Sequence, residues 1–330
     1  MEDKLEEIIK QYPFVVTARR RTRGAFLLET DMGLRLLKEC QASLTRIEFE
    51  ERIKSKLIEQ GYEELDLTYK NSREEYFTRD SYRNHWIVRQ WYVGNECDIR
   101  DSHSVLCLAR HLGRLHRLLC LGENREDDYR QKESLKAEME RHNKELKRVR
   151  GYIRSKKQKN EMEICLLNCF ESFYQQACMA QRLLQDSEYD RLWMETVEQG
   201  RVCHGSYNYH NILLADKKII TTNFDRAEIG IQIRDLYDFL RKVMEKNGWK
   251  SQLGRRVIEE YCKERPLEEG EGIVLYTLLL YPEKYWKLVN FYYNGRKSWM
   301  PAKNLEKLLK IKEQEEERNS FLKEMKGLLF

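Results

Sequence analysis

Several features are scarce or missing in this chain of 330 residues, and each absence removes a class of protein. Only four prolines and sixteen glycines leave little room for disordered linkers or collagen-like repeats. The sequence has no run of about 18 apolar residues, so we expect no membrane-spanning helix. The residues Met1-Glu2-Asp3-Lys4 lack a basic stretch followed by an apolar one, so we expect no signal peptide either.

The cysteines argue against a zinc site. They are nine in number, and no two of them form a C-x-x-C pair. Cys165 and Cys169 lie at helical i,i+4 spacing, but no pair of histidines accompanies them. The pattern favours reduced, mostly buried thiols in a protein made in the cytoplasm.

Charged residues are abundant and spread along the chain. They make up 35% of it and apolar residues 41%, which is typical of a helix-rich protein with solvated faces and room for two lobes. The net charge of +5 is modest, so it gives nucleic acid little support as a partner. Residues 124–160 are the most charged stretch. They predict a long solvated helix or a helical hairpin, with nucleic-acid binding as the alternative.

The first 94 residues predict a small domain of strands around one amphipathic helix. A short helix over 3–11 is stopped by Pro13, and the amphipathic helix over 43–60 ends at Gly61. Alternating apolar residues and turn signals predict strands over 14–17, 24–30, 33–39, 75–79 and 85–91. We interpret Arg19–Gly24 as a solvated hairpin tip, because it has a single glycine where a G-x-G-x-x-G loop has three. Phosphate binding by its backbone amides and arginines is the alternative.

From about residue 101 the pattern is helical, with one exception. Helices are predicted over 105–119 and 161–200, and again from the middle of the second half to the C-terminus. Only residues 212–214 and 218–222 show β signals, around a turn at 215–217. These signals predict a hairpin directly after residue 211.

The segment Cys203–Asn211, C-H-G-S-Y-N-Y-H-N, resembles the catalytic loop of kinases, H-G-D-x-x-x-x-N, with Ser206 in place of the aspartate. In phosphoryl transfer the aspartate positions the attacking hydroxyl and accepts its proton, and the asparagine holds Mg²⁺. Serine is not a base near neutral pH, so Ser206 cannot take the first role, whereas Asn211 can take the second. We expect His204 to buttress the loop and Gly205 to permit its backbone angles.

The second metal ligand of such a site should follow the hairpin. In the most natural alignment of Thr222-Asn223-Phe224-Asp225, Asn223 takes the place of the Mg²⁺-binding aspartate. Asn223 is neutral, whereas a hard cation that bridges phosphates prefers an anionic oxygen. A slip of two residues would place Asp225 on the metal, and the spacing from Asn211 allows either register. Further on, we expect Asp235, in the sequence D-L-Y, to anchor the catalytic loop by hydrogen bonds.

Lys38 is the candidate for the lysine that holds the α- and β-phosphates of a nucleotide. It lies late in a predicted strand, and its expected partner is a glutamate of the next helix. Glu48, Glu50 and Glu51 are all available there. The sequence does not choose between them, and Glu50 is taken as the candidate. Val93, at the break that follows the last strand, is the remaining candidate for the nucleotide cleft.

These motifs, together with Leu108–His116, resemble the aminoglycoside-phosphotransferase/choline-kinase branch of the protein-kinase fold. A narrower resemblance is to the CotS family of spore coat proteins. It is carried by the segments 203–211, 222–225, 232–249, 281–287 and 292–299.

The resemblance implies an α+β, bilobal protein-kinase-like fold, with a small β-rich N-lobe and a large, mainly helical C-lobe. The lobes are expected at residues 1–94 and 95–330, with the loop 203–211 and the metal-site strand 218–225 in the C-lobe. The resemblance also implies a place in the spore coat after synthesis in the mother-cell cytoplasm, with other coat proteins as partners. ATP or GTP with Mg²⁺ is the expected cofactor if the protein is active.

The departures at Ser206 and Asn223 favour a catalytically impaired kinase homologue that serves in coat structure or assembly. Positioning and charge stabilisation supply much of the catalytic effect in such sites, so losing the base alone need not abolish transfer. A working phosphotransferase on a small molecule or a protein is therefore the alternative, with Asp225 on the metal and Lys38 on the phosphates. A nucleotide-binding but inactive switch lies between the two hypotheses.

Overall fold

The computed structural model describes residues 2–22, 24–123, 129–215, 218–295 and 302–330. These residues fold as two compact units. The first unit comprises residues 1–99, 115–130 and 198–229, and the second comprises residues 100–114, 131–197 and 230–330. In the part of the chain that the structure describes, no helix is long and apolar enough to cross a membrane.

An antiparallel six-stranded sheet forms the centre of the first unit. Its strands are β1 (Val16–Thr22), β2 (Ala25–Thr30), β3 (Gly33–Glu39), β4 (Thr68–Tyr69), β5 (Thr78–Arg79) and β6 (His85–Gln90). The strand order is β1-β2-β3-β6-β4, and β5 also pairs with β6. The unit's first two helices are α1 (Glu2–Ile9) and α2 (Leu44–Glu59).

The two faces of this sheet are covered differently. Leu28, Leu37 and Val88 lie on one face and pack with apolar residues of α1 and the segment that follows it. Lys38 pairs with Ile87 across β3 and β6, so both side chains lie on the opposite face. Ile87 packs there against Ile47 of α2. The pleat of β3 therefore places Lys38 on the face that α2 covers.

The prediction of a hairpin tip at Arg19–Gly24 is wrong for its first part. Strand β1 extends to Thr22, and Arg19, Arg20 and Arg21 pair with Leu28, Leu27 and Phe26 of β2. The arginines remain exposed, so the backbone ladder forms without burying charge. Residue 23 lies outside the described residues.

Two small sheets complete the first unit. Their strands are β7 (Asn95–Glu96), β8 (Val202–Cys203), β9 (Ile212–Ala215), β10 (Lys218–Thr221) and β11 (Glu228–Ile229). Strand β9 pairs with both β7 and β10, and β8 pairs with β11. Gly94 enters β7 so close to β9 that a Cβ would lie 2.8 Å from the carbonyl oxygen of Leu214. The predicted hairpin 212–222 is confirmed, although residues 216 and 217 of its turn lie outside the described residues.

The remaining helices are α3 (Ser102–Leu118), α4 (Leu135–Ser155), α5 (Glu161–Gln185), α6 (Tyr189–Gln199), α7 (Ile233–Lys246), α8 (Ser251–Glu264), α9 (Glu271–Leu280), α10 (Glu283–Asn294), α11 (Ala302–Glu313) and α12 (Glu315–Leu329). Most of them belong to the second unit. Helix α9 is apolar almost all round and packs against α5, α7 and α12, as expected for a core helix. Residues 296–299, part of the segment 292–299, lie outside the described residues.

The interpretation of residues 124–160 as a solvated region needs correction. Helix α4 buries Leu135, Met139, Leu146, Val149 and Ile153, which recur every three to seven residues on one face. That face packs on α5. The many charges of α4 lie on its other side, so the high charge of the sequence concealed an ordinary amphipathic helix. Residues 124–128 lie outside the described residues.

The predicted lobe boundary at residues 94 and 95 stays a prediction. It falls near the first break between the two compact units, at residue 99. The loop 203–211 and the strand region that ends at residue 225 belong to the same compact unit as the N-terminal sheet. Every residue predicted for the site except Asp235 therefore lies in the first unit.

Candidate functional site

The loop that joins β8 to β9 is held by its glycine and its histidine. Gly205 has a φ of 73°, and a Cβ there would collide with the carbonyl oxygen of Arg226. His204 is fully buried, and its Nδ1 accepts from the backbone N–H of Ser206 at 3.2 Å. Its Nε2 lies 3.1 Å from the carbonyl oxygen of Thr222. Because Nδ1 accepts and a carbonyl cannot donate, the ring is the Nε2–H tautomer, which joins the loop to the end of β10.

Ser206, which the sequence predicts at the position of the catalytic aspartate, contributes its backbone to the loop. The carbonyl oxygen of Ser206 accepts from the side-chain amides of Asn208, at 2.7 Å, and Asn211, at 2.8 Å. These bonds fix the backbone of the loop. They leave a hydroxyl, which is not a base at neutral pH, as the only side-chain group that Ser206 offers.

Three predicted site residues form one chain of hydrogen bonds. Lys38 Nζ donates to Asn223 Oδ1 at 3.3 Å, and Asn223 Nδ2 donates to Asn211 Oδ1 at 3.4 Å. The chain continues from Asn211 to the carbonyl oxygen of Ser206. Of the two registers that the sequence allows, the structure thus brings Asn223, and not Asp225, to Asn211.

The backbone explains that register. Asn223 follows β10 and has φ 68° and ψ 59°, a left-handed conformation that asparagine adopts more readily than most residues. The sharp turn directs the amide toward Asn211. Asp225 lies further on, in the 3-10 turn Phe224–Arg226, with an exposed side chain. Its backbone carbonyl accepts from Arg46 Nε at 2.9 Å.

A buried cluster of four charged residues lies beside this chain. Arg89 donates to Glu50 at 2.8 Å and to Asp66 at 2.9 Å, and Lys54 Nζ lies 2.9 Å from Glu50 and 3.1 Å from Asp66. Asp66 also accepts from the backbone N–H of Asn223 at 2.9 Å. Lys54 also pairs with the less deeply buried Glu51 at 3.0 Å, so two cations are shared among three carboxylates beside Asn223.

The ion pairs in this cluster hold its carboxylates ionised. Burial alone would raise the pKa of Asp66, but Lys54 and Arg89 outweigh it and lower that pKa to about 2. Burial likewise opposes the charge of Glu50, and Arg89 and Lys54 leave its pKa below the usual value. Each charge of the cluster is therefore already paired with one of opposite sign.

The structure does not join Glu50 to Lys38. Glu50 binds Arg89 and Lys54, and Lys38 forms no ion pair with any residue that the structure describes. Burial, followed by the charge of Arg89, lowers the pKa of Lys38 below its usual value. Lys38 is thus a half-buried cation whose hydrogen-bond partner is a neutral amide.

The two remaining predicted residues, Val93 and Asp235, lie outside the hydrogen-bond chain described above. Val93 lies between β6 and β7, and its side chain is 80% exposed. Asp235 lies in the first turn of α7, in the second unit, and is buried. Its role as the anchor of the catalytic loop stays a prediction.

The residues at the metal position do not fit Mg²⁺. This ion prefers an octahedral shell of oxygens that includes carboxylates or phosphates. The side-chain oxygen of Asn211 already accepts from Asn223, and that of Asn223 accepts from the ammonium of Lys38. Asp66, the nearest buried carboxylate, is bound by Arg89, Lys54 and the Asn223 backbone. No group of three or more His, Cys, Asp or Glu side chains among the described residues is arranged to hold a metal ion.

Sequence reasoning missed Lys54, Asp66 and Arg89. One signal was available for Lys54, which shares the buried face of α2 with Ile47, Ile53 and Leu57 although it is charged. A lysine four residues after a glutamate on an apolar face indicates a buried ion pair. Asp66 and Arg89 carry no such local signal, because their partners come from other elements.

The fold and the loop together define a kinase-like protein of the aminoglycoside phosphotransferase type. The aminoglycoside phosphotransferase of Alicyclobacillus acidocaldarius subsp. acidocaldarius DSM 446 matches with a TM-score of 0.88 at 16% identity, over 98% of this chain and 96% of that one. A spectinomycin phosphotransferase, in complex with ADP and spectinomycin, matches with a TM-score of 0.63 at 11% identity, over 97% and 98% of the chains. Likenesses at such low identity establish the fold, and the predicted α+β kinase-like fold class is confirmed.

The sequence narrows this class to one family. Spore coat protein S of Bacillus subtilis (strain 168) is 22% identical over 336 residues, which cover 99% of this chain and 95% of that protein. The profile of the family described as "Spore coat putative kinase YutH" matches residues 6–325. The chain belongs to this family of kinase-like spore coat proteins, as the resemblance predicted.

Proposed function

We propose that this protein is a component of the spore coat whose kinase fold serves assembly and does not transfer phosphate. One observation carries the proposal: the amide of Asn223 lies between Lys38 and Asn211, where a metal-binding aspartate is required. Family membership supports the coat as its location and other coat proteins as its partners.

The chemistry of the loop supports the loss of transfer. A kinase site needs a base that orients the acceptor hydroxyl and an anionic ligand that holds the metal on the phosphates. Ser206 supplies no base, and Asn223 supplies a neutral oxygen that is already bonded. Losing the base alone would leave positioning and charge stabilisation in place. Losing both groups removes the metal as well.

What remains is a well-built loop. His204, Gly205, Asn208 and Asn211 all keep the loop's backbone fixed. The loop thus has the residues that fix its backbone, but it lacks the base and the anionic metal ligand that phosphoryl transfer needs. This division is what we expect of a fold retained as a scaffold.

Localisation and complementation test the proposal in the endospore-forming host. Fluorescent fusions of the wild type and of Lys38→Met should both reach the coat, because the change removes the predicted phosphate-binding cation and leaves the residues that fix the loop in place. A fusion carrying Gly205→Val, which breaks the loop, should fail to assemble. Diffuse fluorescence of the wild type, or a coat that accepts the wild type and rejects a stably folded Lys38→Met, would contradict the proposal.

A further inference from the structure

Lys38 is a half-buried cation that no carboxylate of the described residues contacts directly. Its hydrogen bond goes to the neutral amide oxygen of Asn223 at 3.3 Å, and it forms no ion pair with a described residue. Of the three carboxylates whose charge acts on Lys38, Glu50 and Asp66 are already balanced by Lys54 and Arg89, and the exposed Asp225 acts from beyond ion-pair distance. A half-buried ammonium without a contacting counter-ion favours a bound anion, because its partly lost hydration is otherwise poorly compensated.

The loss of the metal ligand also removes a source of repulsion. In a kinase site the phosphates face the carboxylate that binds the metal, and the Mg²⁺ between them cancels the repulsion of like charges. Here Asn211 and Asn223 present amides, which are neutral and carry N–H donors. A phosphate can approach these groups and Lys38 without an intervening cation.

An apolar cluster lies on the same face of the sheet. Ala25 pairs with Lys38 across β2 and β3, and Leu27 pairs with Leu36, so these side chains share one face. Together with Leu34 and Trp91 they form a small hydrophobic cluster. An apolar wall beside a phosphate-binding cation suits a nucleoside polyphosphate better than a bare phosphate.

We propose that the Lys38–Asn223–Asn211 site binds a nucleoside polyphosphate directly, without a divalent cation, and that Mg²⁺ weakens this binding. The inference rests on the proposed function, since it concerns the same site. Magnesium neutralises the phosphates that Lys38 attracts and finds only neutral amides at Asn211 and Asn223, so the complex of metal and nucleotide binds less tightly than the free nucleotide.

Calorimetric titration and thermal shift with ATP test this, once in EDTA and once with excess Mg²⁺. Wild type should bind ATP in EDTA with a raised melting temperature and bind it several-fold more weakly with Mg²⁺. Lys38→Met should lose about tenfold or more in affinity. Asn223→Asp should lose binding in EDTA and recover it with Mg²⁺, because it restores both the repulsion and the metal ligand.

Two exposed substitutions serve as matched controls. Lys310→Met on α11 and Asn168→Asp on α5 make the same changes of charge at exposed positions. Both should leave ATP binding in EDTA unchanged. Circular dichroism of all variants separates lost binding from lost folding.

The outcomes separate the inference from the proposed function. Binding by wild type that requires Mg²⁺, or no binding of ATP or ADP at all, would overturn the inference and leave the scaffold proposal in place. Inorganic triphosphate that binds as tightly as ATP would overturn the assignment to a nucleoside polyphosphate. Transfer of the γ-phosphate would instead overturn the proposed function.

Discussion

The ammonium of Lys38 lies 3.3 Å from the side-chain oxygen of Asn223, the residue that the sequence predicts in place of the metal-binding aspartate of a kinase. A lysine and an amide meet where a lysine, a carboxylate and a metal ion meet in an active kinase. The contact joins the N-terminal sheet to the end of β10 within one compact unit. The hydrogen bond therefore still links the sheet to the end of β10, but it does so without a carboxylate or a metal ion.

The buried charge cluster should dominate the stability of the first unit. Arg89→Met leaves Glu50 and Asp66 with Lys54, which also pairs with Glu51, and breaking a buried ion pair by removing one partner costs about 3–5 kcal/mol. We expect urea unfolding to show a free energy of unfolding lower by this amount, seen as a lower urea midpoint. Arg255→Met is the control, because its ion pair with Glu259 is exposed and screened by water, so its loss should leave the midpoint nearly unchanged. Equal losses in the two variants would show that the buried cluster contributes nothing special.

Two glycine substitutions should change stability in opposite directions. Gly205→Ala forces a Cβ against the Arg226 carbonyl at a positive φ, so it should destabilise the protein by more than about 1 kcal/mol. Gly151→Ala lies in an exposed part of α4, where a Cβ meets nothing within 4 Å. It should stabilise the protein by about 0.5–1 kcal/mol. Thermal melting of both variants checks the signs, and a stabilising Gly205→Ala would refute the backbone role given to Gly205.

The second unit should lose stability as the pH falls from 6.5 to 4. Burial, followed by the charge of Arg141, lowers the pKa of His142 from 6.5 to about 4. Below pH 6.5 the unfolded chain takes up a proton that the folded protein refuses until about pH 4, so stability falls by up to about 3 kcal/mol. The ring of His142 stacks on Trp286 with centroids 3.4 Å apart, and His142→Phe keeps a ring there. Urea unfolding at several pH values should therefore show a shallower slope for His142→Phe. Identical slopes would contradict the assignment.

Local patterns made much of this fold predictable. The helix 43–60 was readable because Ser43 caps it, and its apolar residues recur at helical spacing. The hairpin after Asn211 was readable from two short β runs around a turn. The resemblance of the loop 203–211 to a kinase motif supplied the rest of the fold class.

The arrangement of the site depended on contacts that no local pattern records. Asp66 and Arg89 are 23 residues apart in sequence and meet through the fold. The choice between Asn223 and Asp225 was decided by a left-handed backbone at Asn223, which spacing alone does not reveal. The sequence also left three glutamates open for Lys38, and the structure pairs Glu50 with Arg89 and Lys54 instead.

The most direct test of a kinase fold without phosphoryl transfer is ATP turnover, measured as release of γ-phosphate in Mg²⁺ and in Mn²⁺. We compare wild type with Lys38→Met and with the double variant Ser206→Asp/Asn223→Asp, which restores the base and the anionic metal ligand. We predict that wild type releases no more phosphate than Lys38→Met and that only the double variant gains metal-dependent turnover. Metal-dependent turnover by wild type that Lys38→Met abolishes would contradict the conclusion.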